Sequence, residues 1–253
     1  MKRLEGKTIL VAGGGGIGGE LARRYTSEGA AVVLGDVDLD GAKATVEGIK
    51  RAGGQAIAIH LDGGDEASIT AAVALACQNY GGLDGLHANY AGFFDGGPDT
   101  GVLDVSLEVF DRMFRVNARG YFLCTRAALP KILARGGGAI LYTSSGAAYL
   151  GEATRVAYAM NKVALHALMR HVAVKYGPQG VRANCIAPGV IMHERWTAEV
   201  EREIKGWAID AALVKRLGRP ADIAAMCVLL MSEEGSFVTG QIISVDGGTT
   251  LRP

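Results

Sequence analysis

Tyr158 and Lys162 stand four residues apart in the segment 155-RVAYAMNKVALHALMRHVAVKYG-177, and Ser145 ends the apolar run 139-AILYTSS-145, thirteen residues before the tyrosine. A spacing of four on a helix puts phenol and ammonium on one face, and a serine at the end of a buried strand can be aimed at the same point. Hydroxyl, phenol and amine together make a proton-transfer site. A free tyrosine titrates at about pH 10, so it exchanges protons near neutrality only where a positive neighbour stabilises the phenolate, and Lys162 is placed to do that. A helix face carrying one Tyr and one Lys is also commonplace, so the pair gains weight only from the residues around it.

The N-terminus supplies such company. The run 7-KTILVA-12 is apolar and β-prone, 13-GGGGIGG-19 follows, and 20-ELARRYTSEG-29 has the apolar spacing of a helix ending at Gly29. Strand, glycine turn and helix make a dinucleotide-binding opening. Glycines let the backbone approach a pyrophosphate, and the helix N-terminus offers it N–H groups. The G-x-G-x-x-G template fits twice, as Gly13/Gly15/Gly18 and as Gly14/Gly16/Gly19. The next strand, 31-AVVLGD-36, ends in Asp36, 18 residues beyond Gly18. A carboxylate there would accept from an adenosine ribose diol and repel a 2′-phosphate, which reads as NAD over NADP. Asp38 and Asp40 can be ordinary solvated or helix-capping acids, and so can Asp36, which is favoured because it lies at the carboxyl end of the strand, where ligands bind in such sheets.

Strands are expected near 7–12, 31–36, 55–61, 83–89, 137–144, 180–186 and 240–245, and helices near 17–28, 39–52, 66–80, 106–134, 155–176, 194–206 and 220–231. Strict alternation implies an α/β fold: a Rossmann-type, doubly wound parallel sheet with helices on both faces. The 253 residues can form one dinucleotide-binding and catalytic domain spanning 1–253. With 26 basic and 26 acidic residues and no charged cluster, neither nucleic acid nor a membrane surface is indicated as a partner. No export signal or membrane span is evident, which suggests a cytoplasmic enzyme. Cys77, Cys124, Cys185 and Cys227 lack metal-ligand or disulfide spacing and read as reduced thiols, with no metal site.

These features together resemble the short-chain dehydrogenase/reductase family over essentially the whole chain. The opening 11-VAGGGGIGGE-20 is similar to the family's Thr-Gly-x-x-x-Gly-Ile-Gly turn, with Ala12 for Thr and one residue fewer in the turn. The pair Leu61-Asp62 matches the adenine position, 89-NYAG-92 the Asn-Asn-Ala-Gly stretch with Tyr90 for the second Asn, and Asn117 the family's helix asparagine. Ser145, Tyr158 and Lys162 match the catalytic trio, 184-NCIAPGVI-191 the segment beside the nicotinamide, and 239-TGQIISVDGG-248 the C-terminal signature. The resemblance implies hydride transfer between NAD(H) and a secondary alcohol or ketone. Tyr158 would be general acid/base, Ser145 would hold the substrate oxygen, Lys162 would tune Tyr158 and bind the nicotinamide ribose, and Asn117 would hold a relay water. Cofactor contacts would come from Gly13, Gly15, Gly16, Ile17, Gly18, Asp36, Asp62, Gly63, Asn89, Ala91, Gly92, Tyr158, Lys162, Pro188, Gly189 and Ile191. A homotetramer is expected from the family.

Taken singly, Asp62 can cap a helix, Asn89 can serve a strand end, Asn117 can serve an irregular helix turn, and Pro188-Gly189 can be a plain turn. The substrate is the least legible part. Residues 190–217 resemble the family's variable lid. His193 stands where the family often has a Thr touching the carboxamide. Tyr149, His193 and Trp196 are the substrate-side candidates, with Met192, Phe94 and Trp207 as further apolar lining; either Trp can instead pack the lid onto the core. A hydrophobic or cyclic secondary alcohol fits this set. An NADP-dependent carbonyl or 3-oxoacyl reductase, and a non-catalytic nucleotide sensor, are the alternatives.

Overall fold

The computed structural model describes residues 2–92, 97–193 and 198–251. Phe94 and Trp196 therefore lie outside the described residues. Seven strands form one parallel sheet in the order β3-β2-β1-β4-β5-β6-β7: β1 (Thr8–Ala12), β2 (Ala31–Asp36), β3 (Gln55–His60), β4 (Gly85–Ala88), β5 (Gly138–Thr143), β6 (Val181–Pro188) and β7 (Ile242–Val245). The order reverses between β1 and β4, so the carboxyl ends of these strands open a crevice where ligands bind in such sheets. The apolar runs form strands because both faces are covered. One core packs Leu10, Leu86, Ile140 and Ala183 against Ile69, Leu123 and Leu165, and the other packs Val11, Val32 and Leu141 against Leu21, Val46 and Val228.

The helices are α1 (Ile17–Ser27), α2 (Leu39–Arg51), α3 (Glu66–Tyr80), α4 (Leu107–Phe114), α5 (Gly120–Ala134), α6 (Val156–Tyr176), α7 (Ala198–Ala211) and α8 (Pro220–Met231). Their starts are chemically marked: the Asp38 side chain accepts from Gly41 N–H, Asp65 from Ala67 N–H and Ser106 from Val109 N–H. Two expectations need correction. The single helix over 106–134 is two helices joined by a π-helical turn, Arg115–Arg119, centred on Asn117. The helix expected at 194–206 extends further along the chain, to Ala211; its described part is Ala198–Ala211. No helix among the described residues is long and apolar enough to cross a membrane.

Candidate active site

At the carboxyl ends of β1, β4 and β5 lies a cavity of about 1220 Å³. Its one end is the glycine turn. Gly13 has φ 103°, and a Cβ there would meet the Tyr90 backbone at 2.5 Å; a Cβ on Gly18 would strike the Gly13 carbonyl oxygen at 1.8 Å. These are positions where only glycine fits. The N-cap of α1 is Gly16, and no side chain caps it, so the helix head is open to an anion. Asp36 sits beside the turn in an unforeseen role. Its Oδ2 accepts from Gly14 N–H at 2.6 Å and Gly15 N–H at 2.9 Å, and its Oδ1 accepts from Asp38 N–H at 2.9 Å. Three of about four lone-pair positions are engaged, so the carboxylate braces the turn and keeps one position over.

The turn is tied to the core by a directed chain of hydrogen bonds. Asn89 Nδ2 donates to Gly13 O at 3.0 Å, and Thr143 Oγ1 donates to Asn89 Oδ1 at 2.8 Å. Thr143 must then accept from His87 Nε2–H, 2.9 Å away, which leaves His87 Nδ1 to accept from the Tyr25 hydroxyl at 2.8 Å. Burial pushes His87 down to about 3, so it stays neutral. The Tyr90 ring and hydroxyl pack closely against glycines of two other segments. A Cβ on Gly63 would meet that ring at 2.5 Å and a Cβ on Gly120 that hydroxyl at 2.7 Å.

At the other end stands the trio. Ser145 follows β5, where its Oγ accepts from Ala147 N–H at 3.2 Å, and its hydrogen bond helps hold Tyr158 down. Tyr158 is nevertheless raised overall, burial outweighing the Ser145 bond and the Arg155 charge, with Glu152 adding to the rise. Lys162 is 2% exposed. Its Nζ donates to Thr143 O at 2.7 Å and to the Tyr121 hydroxyl at 3.4 Å, and lies 5.6 Å from the Tyr158 ring centre. Burial pushes Lys162 down to about 7. Asn117 lies beneath, its Oδ1 accepting from Gly92 N–H at 3.0 Å and its Nδ2 donating to Met113 O at 3.0 Å. Asn161 locks α6 to the π-turn by accepting from Ala118 N–H at 2.9 Å. This joint explains the turn: widening the helix by one residue frees backbone groups for side chains of a neighbouring helix.

A chain with this order and these contacts can be compared with known proteins. A family model described as enoyl-(acyl carrier protein) reductase matches residues 11–250. A probable short-chain type dehydrogenase/reductase of Bradyrhizobium diazoefficiens is 36% identical over 249 residues, covering 98% of this chain and 89% of the relative. This chain belongs to the short-chain dehydrogenase/reductase family. Among its relatives in that family, the 2,5-dichloro-2,5-cyclohexadiene-1,4-diol dehydrogenase of Sphingobium indicum is 36% identical, with 98% of each chain covered. The 7α-hydroxysteroid dehydrogenase of Escherichia coli is 34% identical, with 97% of this chain and 95% of the relative covered. A solved structure of 7α-hydroxysteroid dehydrogenase, complexed with NADH and 7-oxo glycochenodeoxycholic acid, superposes with a TM-score of 0.88 at 34% identity, covering 97% of this chain and 95% of that one.

As a short-chain dehydrogenase/reductase the chain places most of its expected site residues along the cavity: Gly13, Gly15, Gly16, Ile17, Asp36, Asp62, Gly63, Asn89, Ala91, Gly92, Ser145, Tyr158, Lys162, Pro188, Gly189, Ile191 and His193. Gly18 and Asn117 are buried behind it. Tyr149 lies outside the lining, stacked on His166 with ring centres 5.3 Å apart. His193 reaches the turn, since a Cβ on Gly16 would come within 3.1 Å of its ring. Val37, Leu150, Ile204 and Trp207 line the cavity, as do Arg112, Arg115, Glu152 and Arg155. Sequence reasoning passed over Thr143, Tyr121, His87 and Asn161, whose polar side chains in apolar segments look like isolated interruptions until their partners are seen.

Proposed function

We propose that this protein is an NAD-dependent oxidoreductase that interconverts a secondary alcohol and a ketone, with Tyr158 as general acid/base. The observation that carries this reading is the convergence of Ser145, Tyr158 and buried Lys162 on the cavity that also holds the glycine turn and Asp36. The cofactor test is favourable: an uncapped helix head, glycines with no room for a Cβ and an acid at the end of β2 fit a dinucleotide. Gly16 and Ile17 would hold the pyrophosphate, Asp36 and Asp62 the adenosine half, and Lys162 with Pro188, Gly189 and Ile191 the nicotinamide half. When bound, NAD(H) supplies the hydride acceptor or donor.

The chain's own residues then handle the proton. Ser145 donates a hydrogen bond to the substrate oxygen and fixes it beside the phenol. Tyr158, as phenolate, takes the hydroxyl proton in the oxidative direction and returns it in the reductive one. Lys162, titrating at about 7, is poised to pass that proton on. Asn117, whose Nδ2 donates to Met113 O and Met113 Sδ, keeps one Oδ1 lone pair beyond the Gly92 N–H contact, enough to accept from a relay water.

For substrate, a cyclic secondary alcohol is favoured. Leu150, Val190, Ile191, Ile204 and Trp207 give one end of the cavity an apolar wall, and two relatives are named for cyclic alcohols. Residues 190–217 would act as the lid over this wall. Exposed apolar side chains on α5 and α6, Phe122, Met160 and Val163, suit association into a homotetramer. A second reading, an NADP-dependent carbonyl or 3-oxoacyl reductase, is favoured by Arg112 and Arg115, which line the cavity and would attract an added phosphate. The test is initial rates with a panel of aliphatic, cyclic, aromatic and steroid alcohols, each with NAD⁺ and NADP⁺. NAD⁺-dependent turnover favouring cyclic members is the expected result. Turnover with NADP⁺ alone would transfer support to the second reading, and tight NAD binding without any turnover would favour a sensor.

A further inference from the structure

The residue at the head of α6 brings another charge to the catalytic tyrosine. Arg155 is the only non-glycine with positive φ among the described residues, at 64°. A left-handed backbone is strained for a residue with a Cβ and persists only where its surroundings impose it. Here they do. Arg155 N–H donates to Asp99 O at 2.8 Å and Val156 N–H to Thr100 O at 3.3 Å. The Asp99 carboxylate accepts from Ala157 N–H at 3.0 Å and from Tyr158 N–H at 2.7 Å. One dipeptide thus closes four successive backbone donors at the helix head. The side chain that emerges is turned over the tyrosine, with the guanidinium carbon 5.4 Å from the Tyr158 ring centre and Nη2 donating to Glu152 Oε1 at 2.6 Å.

We infer that Arg155 is a second cation of the catalytic site: Asp99 and Thr100 impose a left-handed backbone that lays its guanidinium against the Tyr158 ring, where it stabilises the phenolate together with Lys162. The inference rests on the reading of Tyr158 as the acid/base. The charged and titratable groups around that phenol are Lys162 and Arg155 on its own helix segment, Glu152 before the helix, Asp99 from the loop before α4, and the Tyr121 phenol of α5. Val109 and Met113 of α4 add only apolar contact. Within the Arg155–Glu152 pair, the pull of Arg155 on the phenol outranks the opposing push of Glu152. Glu152 is needed to hold the guanidinium, and its Oε2 is buried with no hydrogen-bond partner among the described residues, a position tenable for a carboxylate because Arg155 neutralises it. The arginine is 45% exposed, so its field on the phenol is partly screened.

The experiment compares the pH dependence of kcat for alcohol oxidation in the wild type, Arg155→Met, Arg155→Lys and Arg155→Gly. Arg155→Met should move the acidic limb upward by about one unit, a tenfold loss on that limb, with NAD affinity unchanged. Arg155→Lys should return most of the way to the wild-type limb, and raised salt should narrow the gap between wild type and Arg155→Met. Arg155→Gly relieves the backbone strain, which offsets part of the cost of unpairing Glu152, and should show the same shift; melting higher than Arg155→Met, it keeps the test valid if the Met variant folds poorly. Turnover can be bypassed altogether by titrating phenolate absorbance as the difference between each protein and its Tyr158→Phe counterpart, where the midpoint should rise without Arg155. An unmoved limb and an unmoved phenolate midpoint in Arg155→Gly would overturn the inference. A wild type inactive on all alcohols would count against the acid/base reading, and the phenolate titration would still decide the role of Arg155.

Discussion

Two helix heads face the same cavity and are finished in opposite ways. That of α1 begins at Gly16 and carries no side-chain cap. That of α6 is closed by Asp99 and Thr100, reaching from a loop 58 residues upstream of Ala157. The difference teaches what each terminus is for. Open N–H groups are tolerable where an anion can complete them, and the head of α1, where Gly18 N–H turns back on Gly15 O at 3.0 Å, has no side-chain cap beside a turn braced by Asp36. The head of α6 must instead hold Tyr158 still, so its donors are satisfied by the protein itself and its position does not depend on a ligand.

Breaking the open head should have the largest effect. Gly18→Ala drives a Cβ to 1.8 Å from the Gly13 carbonyl oxygen, so the turn must move. Overpacking of this kind costs about 1–3 kcal/mol, and NAD affinity in a calorimetric titration should fall by up to a hundredfold. Asp36→Ala comes next. It removes acceptors from three backbone N–H groups as well as the charge that would repel a 2′-phosphate, so NAD affinity should fall by about tenfold and the ratio should move toward NADP, where loss of the brace alone would lower both affinities together. Breaking the closed head should leave binding intact. Asp99→Ala orphans the Ala157 and Tyr158 donors, at a cost of about 1–2 kcal/mol, and should lower kcat about tenfold with unchanged Kd for NAD.

The smallest expected effect sharpens the support beneath the open head. His87 titrates at about 3 in the folded protein against 6.5 in its ordinary state. Below pH 6.5 the unfolded chain takes up a proton that the folded one refuses, so this residue's contribution to stability falls as the pH drops toward 3. Between pH 6.5 and 5.5 the loss is about 1 kcal/mol. Denaturant melts of wild type and His87→Leu should therefore converge as the pH is lowered; parallel curves would show that His87 is not held neutral.

Much of this site could be read along the chain because its pieces are local. Tyr158 and Lys162 share a helix face by spacing alone, and the turn between β1 and α1 announces itself through glycines that no other residue could replace. Strand alternation was legible for the same reason, each run being apolar enough to be buried on both sides. What escaped depends on partners far away in sequence. Nothing around Asp99 marks it as the cap of a helix 58 residues on, and although Asn117 could be read as serving an irregular helix turn, the apolar spacing around it does not show that the turn splits 106–134 into two helices. Asp36 was legible as an acid at a strand end, but the bonds from Gly14 and Gly15 arise from the folded shape of a shortened turn.

The most direct test of hydride transfer through this site is Tyr158→Phe, assayed with NAD⁺ and a cyclic secondary alcohol and titrated with NAD in parallel. Losing the phenol proton should reduce turnover by about 10²–10⁴-fold, with NAD binding unchanged because the turn and α1 are untouched. A variant that turns over at the wild-type rate would contradict the account.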